Sequence, residues 1–274
     1  MKDKTIKTMF LKFWRTEDNK VSLIRDVLVA LLFVLILLLA LWTYTGQWFS
    51  TPMVAIESGS MTHVDEPFGR LGTINAGDMV FLVKVNDRED IVTRGQKMEI
   101  PLEDDFFYGD HGDVVVYKKY GNPNAQQIIH RAICWIEYHE NNTYSVEEYG
   151  IHYVGSITIS NVGLKNYQPK HSGFITQGDN PITNPTCDQV GLICTEPIKT
   201  EWITGKARGE LPWIGTLNLF FGDLTSGAFF NPNVPPNTNN VPSDCITCLI
   251  ALIAVLISIP ISLDVYDWYK TKNR

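Results

Sequence analysis

The sequence predicts a mainly β domain carried between two membrane-spanning helices. Two long apolar runs lie near the ends of the 274-residue chain. Between them, apolar and polar residues alternate with the period of a strand, and helical periodicity is not evident. Pairs of Gly, Asp, Asn and Pro punctuate the alternating stretches as turns. Hydrophobic residues make up 45% of the chain, an ordinary share, so their distribution carries the signal rather than their amount.

The first run, Val27 to Trp42, is apolar without a break, and Trp42, Tyr44, Trp48 and Phe49 suit an aromatic belt at its end. A helix over 26–49 is expected. A cleaved signal peptide is the rival reading, but the run is too long and no A-x-A-like site follows it, so an uncleaved anchor is expected. Lys2, Lys4, Lys7, Lys12, Arg15, Lys20 and Arg25 precede the run, and no Lys or Arg follows until Arg70. The positive-inside rule then puts residues 1–25 in the cytoplasm and the domain at 50–222 outside it. A second apolar segment at 245–263, broken only by Pro260, precedes Lys270, Lys272 and Arg274. It is expected to return the tail at 264–274 to the cytoplasm. The stretch at 223–244 is rich in Asn and Pro and reads as a poorly ordered tether.

Within 50–222, strands are expected at Met79–Val85 and at Val114–Tyr117, each after a Gly-Asp pair. Others are expected at Ile128–Tyr138, Tyr153–Ser160 and Phe174–Thr176, with a polar insertion at Asn86–Asp110. The apolar stretch Leu211–Phe221 reads as core, or as a segment resting on the outer membrane surface. The net charge of −7 and the absence of a basic run between the helices argue against nucleic-acid binding. Five cysteines cannot all pair within one chain. Cys187 and Cys194 are spaced to pair if exported, or to remain two thiols. Cys245-x-x-Cys248 lacks the second pair that a structural zinc needs, so no metal and no cofactor are expected. Asn141-Asn142-Thr143 is a glycosylation sequon, weak by itself.

Four short boxes carry candidate chemistry: Glu57-Ser58-Gly59-Ser60-Met61, the Gly-Asp strand starts at Gly77 and Gly112, Ile129-His130-Arg131, and Gly178-Asp179-Asn180 followed by Asp188-Gln189. Each has a plain structural reading. Ser-Gly-Ser and Gly-Asp-Asn are common turns. On a strand, His130 shares a face with Ile128, Ala132, Cys134 and Ile136 and suits a satisfied core histidine. Together, in this order and behind a single N-terminal anchor, the boxes resemble those of the type I signal peptidases, in the archaeal and endoplasmic-reticulum branch. The resemblance covers about residues 20–220 and implies that family's β-rich catalytic fold. It implies Ser60, the second serine of Ser-x-Ser-Met, as nucleophile and His130 as its base, where the bacterial branch has lysine. The Ser60 backbone N–H and the Ser58 hydroxyl are the implied oxyanion donors.

The chemistry is consistent with those residue types. A serine hydroxyl needs a base within hydrogen-bond reach. A neutral imidazole can take that proton near pH 7 and return it to the leaving amine. A carboxylate on the other ring nitrogen would hold the tautomer. Asp188 is the preferred candidate, with Asp179 ordering its loop; the two lie further apart than is usual in the family, so Asp179 stays open as the triad acid. The implied activity is removal of signal peptides from exported preproteins at the outer membrane surface, through an acyl-enzyme. Preproteins, membrane lipid and the secretion translocon are the implied neighbours. A catalytically inactive accessory protein on the same fold, or a Ser-Lys protease using Lys84 or Lys118, are the competing readings.

Overall fold

The structure, a computed structural model, describes residue 14, residues 18–99 and residues 106–272. Most of the basic segment read at 1–25 and part of the polar insertion lie outside these residues. The chain divides into two units, Met1–Pro52 and Met53–Arg274.

The first unit is built on helix α1 (Asn19–Thr45). Asp18 starts it earlier than the apolar run does: its carboxylate accepts the Lys20 N–H at 2.9 Å and the Val21 N–H at 3.4 Å. Gly46, at φ 67°, ends it by donating its N–H to the Trp42 carbonyl. The helix is apolar on all sides and its side chains are exposed. Such a helix is suited to lipid rather than water.

In the second unit the strands are β1 (Met53–Ala55), β2 (Met79–Val83), β3 (Phe106–Phe107), β4 (Asp110–His111), β5 (Val114–Lys118) and β6 (Gln127–His139). There follow β7 (Thr143–Val146), β8 (Ile151–Val154), β9 (Ile157–Ile159), β10 (Leu164–Tyr167), β11 (Gly173–Gln177) and β12 (Ile203–Leu211). The helices are α2 (Arg94–Glu99), α3 (Gly215–Ser226) and α4 (Ser243–Lys272). The main sheet runs β1-β2-β12-β5-β6-β7-β8, with β11 also paired to β6. Every pairing is antiparallel. Strand β6 organises this layout. Its first half pairs β5, its middle pairs β11 and its end pairs β7. A register shift opposite Ile175–Thr176 breaks its alternation, so Ala132 faces one core cluster while Ile133, Cys134 and Ile136 face another. His130 therefore does not share one face with all four residues expected beside it.

Several expectations need correction. The segment at Tyr153–Ser160 is two strands, β8 and β9, broken at Gly155-Ser156. Strand β12 was not legible because Lys206 and Arg208 stand on it. Those two cations turn to the buried Asp113, which is how a central strand tolerates them. The Leu211–Phe221 stretch contains the first half of helix α3, so the region between the two long helices is not all β. Leu219 packs inward with Val241 and Cys245, while Leu217, Phe220, Phe221 and Leu224 are exposed. Gly215 allows α3 to press onto the sheet, since a Cβ there would lie 2.3 Å from the Asp78 carbonyl oxygen. The stretch at 223–244 is no loose tether. Asp223 accepts the Asn237 and Thr238 N–H groups, each at 2.9 Å, and Val241 is buried. Helix α4 starts at Ser243, contains Pro260 and continues to Lys272, beyond the expected 245–263. It is long and apolar enough to cross a membrane, and only its first turns are buried. Among the described residues helix exceeds strand, 38% against 24%, because of these two long helices. Cys187 and Cys194 are free thiols in different clusters.

Glu210, at the end of β12, accepts the Gly72 N–H at 2.7 Å through one oxygen, while its other oxygen is buried without a partner. Burial first, then the negative charge of Asp78 and Glu66, push its carboxyl up to about 7. Asp78, buried beneath the Trp213 and Asn75 N–H groups, is pushed up by burial to about 6. A carboxyl with a raised folded pKa favours the native state below that value and loses this contribution as pH rises through it. Glu210→Gln keeps the acceptor for Gly72 and removes the charge. Its melting temperature should exceed that of the wild type by a few degrees at pH 8, with the difference shrinking towards pH 5, as read by thermal unfolding in detergent.

Candidate active site

Ser60 sits in the turn that follows β1. Ile56 and Met61, both buried, anchor the turn on either side in one core cluster with Ile74, Val80 and Val114. Met61 of the first box is thus a core plug, and the serines between the two anchors are left at the surface. Ser60 is half-buried and Ser58 exposed. Their hydroxyls are 3.4 Å apart.

His130 lies in the first half of β6, opposite Val115 of β5. Its residue is 2% exposed. Nδ1 contacts both oxygens of Asp188, at 2.7 and 2.8 Å. Asp188, fully buried, also accepts the Tyr117 hydroxyl at 2.7 Å and the Thr176 hydroxyl at 2.6 Å. Three donors on one carboxylate make it an acceptor, which assigns the hydrogen to Nδ1 and leaves Nε2 of His130 as the basic nitrogen. Burial, reinforced by the Asp188 charge, pushes the Tyr117 phenol far up, so it stays protonated and donates. The Asp188 N–H donates to the Thr176 carbonyl at 2.8 Å, which returns the long loop after β11 to the sheet.

Asp179 does other work. Arg131, fully buried next to His130, donates to it through Nε at 2.9 Å and through Nη2. The same guanidinium donates to the carbonyls of Gly112 at 2.7 Å and Phe107 at 3.1 Å, which ties the β3–β4 hairpin down. His63 Nε2 lies 3.4 Å from Asp179 and 3.0 Å from the Tyr108 carbonyl, two acceptors that require a hydrogen on that nitrogen. The next residue, Asn180, holds the serine turn directly. Its backbone N–H donates to the Ser60 carbonyl at 2.9 Å and its side-chain amide to the Gly59 carbonyl at 2.8 Å. Gly178 makes this approach possible, because a Cβ there would meet the Ser60 carbonyl at 2.5 Å. The residues between the two aspartates fold on themselves, with Asn184 N–H donating to the Asn180 carbonyl and Ile182 N–H to the Asn180 side chain.

Ser58, Ser60 and His130 line one cavity of about 520 Å³. Val54, Ala55, Ile128, Ile129 and Ile193 make its wall largely apolar. Among the described residues no hydrogen bond joins Ser60 to His130, and no cluster of His, Cys, Asp and Glu is arranged to hold a metal ion. Lys84 is exposed, and Lys118 donates to the Pro123 carbonyl; it is Lys119 that reaches the cavity. No protein-family model matches this sequence, and no curated protein matches it either.

Tyr117, Thr176, Asn180, Arg131 and His63 are the site residues that the sequence did not assign. Asn180 and Arg131 stood inside quoted boxes. Tyr117 would have followed from the β5–β6 register, which pairs it with Ile128 on the face of His130.

The His63–Asp179 pair sets a pH dependence. Its hydrogen bond to Asp179 raises the His63 pKa above the ordinary 6.5 despite burial. Burial pushes Asp179 up, but hydrogen bonds from His63 and Arg131 outweigh it and hold the carboxyl below 3.8. The His63 contribution is therefore complete below its unfolded value and lost as pH rises through its folded one. That of Asp179 is present above its unfolded value and lost as pH falls through its folded one. His63→Ala should lower the melting temperature more at pH 5.5 than at pH 8.5. An equal loss at both would show the pair to be uncharged.

Proposed function

We propose that this protein is a membrane-anchored serine endopeptidase of the signal peptidase type, with Ser60 as nucleophile, His130 as general base and Asp188 as the residue that orients His130. The observation that carries this reading is the His130–Asp188 pair, which leaves Nε2 for the cavity that Ser60 and Ser58 also line. In the reaction, Nε2 takes the Ser60 proton as Oγ attacks the scissile carbonyl. The Ser60 N–H and the Ser58 hydroxyl stabilise the oxyanion. The imidazolium, stabilised by Asp188, returns its proton to the leaving amine, and water then hydrolyses the acyl-enzyme by the same route. In this mechanism the Ser60 hydroxyl leaves its contact with Ser58 and donates to His130 when substrate binds.

The two exposed apolar helices support a two-pass membrane protein. The basic flank before α1, together with Lys270 and Lys272 in the last turn of α4, favours cytoplasmic termini and an exported catalytic domain. The substrate class fits this placement: the N-terminal signal peptide of an exported preprotein, cleaved after small residues that fit the apolar wall of the cavity. A second reading, an inactive accessory protein, draws on the contact of Ser60 with Ser58 rather than His130.

Cleavage of a preprotein by the full chain in detergent separates the two. Wild type should cleave, and Ser60→Ala and His130→Ala should each lose about 10³-fold or more. Lys84→Ala and Lys118→Ala should retain activity. Asp188→Asn should cost about 10⁴-fold by presenting the wrong tautomer, and Asp179→Asn much less. Replacing the small residues before the cut by bulky ones should block cleavage. Full activity in His130→Ala would rule out the mechanism, and a wild type inert towards every preprotein would favour the accessory role.

A further inference from the structure

Asn240 belongs to a segment whose composition suggests a tether, yet its side chain reaches the backbone between β1 and Ser60. Its Nδ2 donates to the Glu57 carbonyl at 2.9 Å. On the preceding residue, the Ile56 N–H donates to the Asp78 carbonyl and the Ile56 carbonyl accepts from Gly77, both at 2.9 Å. The backbone entering the serine turn is thus held first by the Gly77-Asp78 turn and then by Asn240.

Asn240 is itself fixed. Asp223 of α3 accepts from Asn237, from Thr238 N–H and from the Thr238 hydroxyl, each at 2.9 Å. Val241 packs so closely over the same turn that a Cβ at Gly77, where φ is 94°, would lie 2.8 Å from it. Glu57 is held at its other end too, its carboxylate accepting from Gln126 at 3.3 Å, and both residues line the cavity.

We propose that Asn240 is a positioning residue for the candidate active site. It fixes the backbone at Glu57 and, through it, the turn that presents Ser60, so that the segment before the second membrane helix is part of the catalytic apparatus. This rests on the peptidase reading. The bond between Asn240 and Glu57 is exposed, so its loss should change stability little. Displacing a nucleophile by an ångström, by contrast, can cost up to about 10²-fold in rate. A rate effect without a stability effect is therefore the signature to seek.

The test compares wild type, Asn240→Ala, Asn240→Gln and, as control, Asn239→Ala, all as full chains in detergent. Asn240→Ala should lower kcat for preprotein cleavage roughly tenfold with KM and melting temperature little changed. Asn240→Gln, which keeps a donor, should recover part of the loss, and Asn239→Ala should match wild type. Amide hydrogen exchange over residues 57–60 should quicken in Asn240→Ala alone. Unchanged exchange there, or quickened exchange with unchanged kcat, would overturn the proposal. Failure of the wild type to cleave would instead sink the peptidase reading, and it is distinguishable because the exchange comparison needs no substrate.

Discussion

A carboxylate sealed from water needs donors from the protein, because an unpaired buried charge costs several kcal/mol. Asp188 finds them on three strands: Tyr117 on β5, His130 on β6 and Thr176 on β11. The registers of β5 and β11 against β6 are therefore bound up with this one charge. A slip of one residue in either strand would turn Tyr117 or Thr176 to the opposite face and leave Asp188 short of a donor. The same arrangement fixes which nitrogen of His130 carries hydrogen. Packing and candidate chemistry depend on one cluster of bonds.

The second buried carboxylate divides the labour. Asp179 faces Arg131 and His63 rather than His130, and its neighbour Asn180 ties the serine turn. Adjacent residues of β6, His130 and Arg131, point to opposite faces of the strand and so meet different acids. One acid orients the candidate base, and the other braces the loop that carries the candidate nucleophile. Two carboxylates in similar burial thus take separate roles by the partners they meet.

The second unit also takes in more of the chain than its strands. Helix α3, the Asn- and Pro-rich segment and the first turns of α4 join in one small cluster of Leu219, Val241 and Cys245. Arg70 bridges Glu66 and Asp244 and so ties the loop after the serine turn to the start of α4. An apolar membrane-length helix is in this way attached to the domain by packing and by charge, rather than hung from it.

What is local could be read from residue order alone. An apolar run without charges can only be a buried or membrane helix, and alternation flanked by Gly-Asp pairs can only be satisfied in a sheet, so the two long helices and the strands β2, β5, β6 and β11 were legible. So were Ser60 and His130 as candidates, because their boxes are short and contiguous. What needed the fold was everything set by pairing. Strand β12 hides behind cations that Asp113 neutralises only in three dimensions. Helix α3 carries apolar side chains on both faces, which conceals its period. The choice between Asp179 and Asp188 as the partner of His130 rests on a loop whose path depends on a backbone bond from Asp188 to Thr176. Sequence spacing cannot measure such a path, because distance along the chain says nothing about which donors a buried charge will meet.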